Sequence, residues 1–93
     1  MWYFEVKFKD LLIKDPATAV QYGLDGCWIF WGYYSKRSLM EVCERFQRAL
    51  SAHHAYVTIY KGQPPHITYP DAERYHKDDP HIQDLCRLLQ CIV

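Results

Sequence analysis

The side chains with the most chemical reach crowd into the last third of the chain. His66, His76, His81, Cys86 and Cys91 lie there, with Asp78 and Asp79 between two of the histidines. Structural metal centres use close ligand pairs, because one turn must bring two donors into one tetrahedron. Here His76, His81, Cys86 and Cys91 follow one another with four residues between each. On a helix five residues turn the chain by about 500°, so Cys86 and Cys91 would point about 140° apart. Neither a metal nor a cofactor is expected from that spacing.

Nucleophilic chemistry is equally poorly provided for. Cys27 would need His53 or His54 as a base, and its neighbours Gly26, Trp28 and Ile29 suit a buried thiol. His66-Ile67-Thr68 is a single H-x-T triplet, whereas two-histidine phosphoesterases set two such triplets face to face. The four glycines, at 23, 26, 32 and 62, are too far apart for a phosphate loop. A non-enzymatic protein is expected, with a small metal- or thiol-dependent enzyme as the weakest alternative.

Binding chemistry is better represented. Trp, Tyr and Arg are the residue types that anchor interfaces. Tyr33, Tyr34, Lys36 and Arg37 set aromatics beside cations, and Tyr69, Arg74 and Tyr75 recur in the Pro- and Tyr-rich stretch 63–80. These seven residues are the expected partner-binding set. Tyr33, Tyr34, Lys36 and Arg37, with Tyr56 and Tyr60 on the next strand, also suit stacking of single-stranded nucleic acid. A formal net charge of zero offers that reading little counterion release.

The elements that must position these groups can be read from period and punctuation. Trp2, Phe4, Val6 and Phe8 alternate with Tyr3, Glu5, Lys7 and Lys9, a strand with one face on the core and one in water. Asp15-Pro16 opens and Gly23 closes a short helix over 16–22. Residues 27–34 are apolar on both alternations, the mark of an interior strand, and Gly32 signals a bulge or a close backbone approach. Ser38 and Glu41 form an S-x-x-E capping box. Leu39, Val42, Cys43, Phe46 and Leu50 then repeat at helical spacing, predicting a helix over about 38–52.

A third strand is expected over 55–61, a short edge strand over 66–69 and a helical turn over 71–77. Asp79-Pro80 opens a last helix over about 80–91, striped by Ile82, Leu85, Cys86 and Leu89. The sum is a small two-layer α+β domain. Its sheet has three or four mainly antiparallel strands.

Composition bounds what such a domain is for. Its 93 residues suit one domain, and 49% apolar with 24% charged residues is globular composition. Eleven basic against eleven acidic side chains fit neither a strongly basic nucleic-acid binder nor an acidic mimic of DNA. The charge is nonetheless uneven: residues 32–62 hold five basic and two acidic side chains, residues 63–93 three and five. Phe, Trp and Tyr make up 16% of the chain, more large rings than a core this small encloses, so some should form an interface.

No leader or membrane-spanning run is expected, and the four scattered cysteines suit free thiols in a reducing cytoplasm. The expected role is occupation of another protein or complex as a small stoichiometric inhibitor or regulator, the profile of phage-encoded anti-CRISPR proteins. A homodimer through a sheet edge fits the same profile.

Overall fold

The first strand, β1 (Trp2–Lys7), alternates as its sequence dictates, and Phe4, Val6 and the following Phe8 are fully enclosed. The computed structural model describes residues 1–24, 26–50, 55–65 and 72–92, leaving aside the side chains of residues 9, 10, 22 and 90–92. After β1 come α1 (Lys9–Lys14), α2 (Pro16–Tyr22), β2 (Cys27–Tyr33), α3 (Lys36–Leu50), β3 (Tyr56–Lys61), β4 (Glu73–His76) and α4 (His81–Ile92). The architecture is α+β, as expected.

The strands lie in the order β3-β1-β2-β4. β1 is antiparallel to both neighbours, and β2 is parallel to β4. β2, β3 and β4 therefore run in one direction and β1 in the other. α3 is a crossover that carries the chain from β2 past β1 to β3.

One face of the sheet meets the helices. Phe4 stacks on Phe30 at 4.6 Å, Phe46 of α3 lies 4.8 Å from Phe30, and Trp28 meets Phe8 edge-on. Leu39, Cys43 and Leu50 of α3 and Ile82 and Leu89 of α4 close this core. Each such side chain contributes about 1.5–3 kcal/mol by leaving water.

The other face of β1 does not meet water as expected. Tyr3 and Glu5 are buried too. β1 is interior, the Tyr60 ring stacks on Tyr3 at 5.0 Å, and the Tyr60 hydroxyl donates to Glu5 Oε1 at 3.0 Å. Buried Pro64 and the Arg74 bond to the Pro65 carbonyl put the start of the β3–β4 connection on this face.

Helix ends follow local chemistry. Asp15 accepts from the Thr18 N–H at 3.2 Å, and Gly23 ends α2 at φ 65°. The α3 cap differs from expectation. Ser35, not Ser38, caps it by accepting from the Ser38 N–H at 3.2 Å, and the helix starts at Lys36. α1 was not anticipated: it is six residues long and has no side-chain cap. Residues 73–76 form the parallel strand β4 where a helical turn was expected. The edge strand expected over 66–69 lies outside the described residues.

Candidate interaction surface

The strand directions gather one end of the sheet. β2, β3 and β4 all finish there and β1 starts there, with Trp2 opposite both Tyr33 and Lys61. The Gly62 N–H donates to the Met1 carbonyl, and the Lys77 N–H donates to the Trp31 carbonyl at 2.9 Å. Chain segments distant in sequence thus bring Lys36, Arg37, Lys61 and Lys77 to one rim. The Lys36 ammonium lies 5.9 Å from the centre of the Trp2 ring and that of Lys77 4.7 Å from Tyr34.

Tyr34 is 76% exposed, the most exposed large ring among the described residues. None of the four rim cations pairs with a carboxylate among the described residues. Asp78 and Asp79 follow Lys77 in the chain, and each has a histidine neighbour, His76 and His81. Asp79 Oδ1 is engaged by the His81 N–H at 2.9 Å and by His81 Nδ1 at 2.8 Å. Those two bonds hold the Asp79 carboxyl below its usual range.

The expected partner-binding residues do not form one site. Tyr34, Lys36 and Arg37 are exposed at this rim. Tyr33 is in the core, 3% exposed and 6.2 Å from the Phe4 ring. Burial, followed by the nearby Cys43 thiol, pushes its phenol up to about 12. A bulge causes the inward turn: Tyr3 alone faces both Trp31 and Gly32, which shifts the alternation by one residue.

Tyr75 is also inward, stacked 5.3 Å from Phe30 and edge-on to Trp28, with its hydroxyl bonded to Glu73. Burial first and that bond second raise its phenol above the ordinary range. Arg74 lies on the opposite face of the sheet from Tyr75, and Tyr69 lies outside the described residues. Tyr33 and Tyr34 therefore do not present a pair of rings, because Tyr33 lies in the core and of the two only Tyr34 is exposed.

Two features went unanticipated. Leu12 and Ile13 on α1 and Val20 on α2 are exposed, up to 75% at Val20. The run Leu11-Leu12-Ile13 carried the signal, since a six-residue helix can turn only part of such a run inward, and Leu11 takes that place. The second feature is a cavity of about 490 Å³ beside the rim, lined by Trp31, Gln63, Pro64, Arg74, His76 and Asp79.

Burial acts on each of the three described thiols. Cys27, Cys43 and Cys86 are free. Burial, then the Glu5 charge, pushes Cys27 up to about 11, and burial, then Glu44, does the same to Cys43. Burial raises Cys86 as well. Reactive thiols are shifted the other way. Among the described residues no three His, Cys, Asp or Glu side chains gather as a metal site, and no helix is long and apolar enough to cross a membrane. Comparison with protein-family models, curated proteins and solved structures finds no match.

Proposed function

We propose that this chain is a non-enzymatic protein-binding module that docks on an acidic surface of a larger protein or complex and acts by occupying it, as a small stoichiometric inhibitor or regulator does. The observation that carries this reading is the rim at the sheet end. Four cations that have no carboxylate partner among the described residues share this rim with the exposed Tyr34, over whose ring Lys77 lies, on a chain whose net charge is zero. A small molecule of balanced charge that concentrates cations and an aromatic in one place is equipped for a charged, oriented encounter. Three free thiols suit the reducing cytoplasm as its location. A second copy would pair through the outer edge of β3, where Tyr56 is 55% exposed.

Single-stranded nucleic acid is the second reading, favoured by the same four cations and opposed by the loss of Tyr33 from the surface. Capture from host lysate tests both, with nuclease in a parallel sample and Lys36→Glu/Arg37→Glu/Lys77→Glu beside the native chain. A protein retained after nuclease by the native chain and lost by the variant supports docking. Loss of all captured material with nuclease moves the assignment to nucleic acid. Equal capture by both chains removes the rim from the account.

A further inference from the structure

The cavity beside the rim has a different chemistry. Its apolar wall is the half-buried Trp31 indole, the buried Pro64 ring and the His76 imidazole, which stands edge-on to Trp31 at 4.7 Å and 77°. Arg74 is half-buried at this wall, and its Nη2 donates to the Pro65 carbonyl at 2.6 Å. A guanidinium has five N–H donors in a fixed fork. One is engaged, and no carboxylate pairs with Arg74 among the described residues. A half-buried cation held in place, with no counter-ion among the described residues, is suited to receive an anion.

The opposite polarity is present as well. Asp79 lines the cavity, and its Oδ1 is engaged by His81 while Oδ2 has no hydrogen bond among the described residues. Two of the lining side chains are held before any ligand arrives, because Arg74 is tied to a carbonyl and His76 is seated against Gly32. A volume of about 490 Å³ falls in the size range of small-ligand pockets.

We infer that this cavity binds a small planar heteroaromatic carboxylate, its ring packed on Trp31, its anion on the Arg74 guanidinium and its ring N–H on Asp79. None of the rim cations is used, so this site and the docking surface stand or fall separately.

The test is an NMR titration of the isotope-labelled full chain with indole-3-acetate, indole, acetate and 1-methylindole-3-acetate, read at the Trp31 indole N–H and the Arg74 Nε–H. Indole-3-acetate is expected to bind about tenfold more tightly than indole, and acetate to leave Trp31 unmoved. Arg74→Gln should erase that advantage while keeping the weak binding of indole. If that variant does not fold, the comparison of probes on the native chain decides alone. The methylated probe should bind less tightly than its parent, for want of the N–H that Asp79 accepts. Equal binding of indole and indole-3-acetate would overturn the proposal. So would an unchanged advantage in a folded Arg74→Gln, or no shift at Trp31 with any probe up to about 10 mM.

Discussion

The imidazole of His76 occupies the space that a side chain on Gly32 would need. A Cβ at Gly32 would lie 2.6 Å from His76 Nε2 and 2.7 Å from Cδ2, and the Gly32 backbone is at φ +93°. Two independent constraints, a close approach and a left-handed backbone, therefore meet at one residue of the β2 bulge.

Gly32→Ala is accordingly expected to destabilise the fold by about 1–3 kcal/mol. It should also push His76 away from Trp31 and alter the cavity wall. Denaturant unfolding measures the first effect and the Trp31 indole resonance the second. A stable variant with an unshifted Trp31 would mean that the bulge relaxes freely.

The two inward tyrosines should behave differently from Tyr34. Tyr75→Ala removes a ring stacked on Phe30 and should cost about 2 kcal/mol or more. The Tyr33 hydroxyl is buried with no hydrogen-bond partner among the described residues. Tyr33→Phe should therefore leave stability unchanged or raise it by about 1 kcal/mol. Tyr34→Ala should change stability by less than about 0.5 kcal/mol. Thermal melts of the three variants check the ordering, and a large loss at Tyr34 would contradict its placement in water.

Alkaline pH should weaken the fold. Cys27 and Cys43 each have a folded pKa near 11 against an ordinary value of 9.0, so the folded state favours the neutral thiol. Their contribution is complete below about pH 9 and is lost as pH rises through about 11. Tyr33, shifted from 10.0 to about 12, extends the loss upward. Melting temperatures should be level up to about pH 9 and fall beyond it, less steeply in Cys43→Ala. Rapid labelling of Cys43 at about pH 8 would contradict the burial that causes its shift.

Where the chain punctuates itself, the fold was legible. Asp15-Pro16 with Gly23 delimited α2, and Asp79 before Pro80 announced α4, whose His81 N–H it caps. Gly32 signalled a bulge or a close backbone approach, and the bulge is there, with the His76 side chain rather than a backbone against the glycine. Elements defined by tertiary contact were not legible. β4 is four residues long and exists through its parallel pairing with β2, and α1 has no cap to mark its start. β1 reads as half-wet because alternation cannot say that Tyr60 will cover Tyr3 and Glu5.

The same limit applied to the interaction surface. Tyr34, Lys36 and Arg37 were found as a local run of aromatic and cationic types. Lys61 and Lys77 join them only because β3 and β4 end where β2 does. Tyr33 was misplaced because one bulged residue exchanges the two faces of a strand.

The most direct test of the account is the affinity of the captured partner for the native chain and for Lys36→Glu/Arg37→Glu/Lys77→Glu, at two salt concentrations and with folding confirmed by melting temperature. Docking of an acidic surface on the rim predicts that the variant, folded as before, binds at least about a hundredfold more weakly, and that salt weakens the native complex. Native affinity in a folded variant, insensitive to salt, would contradict it.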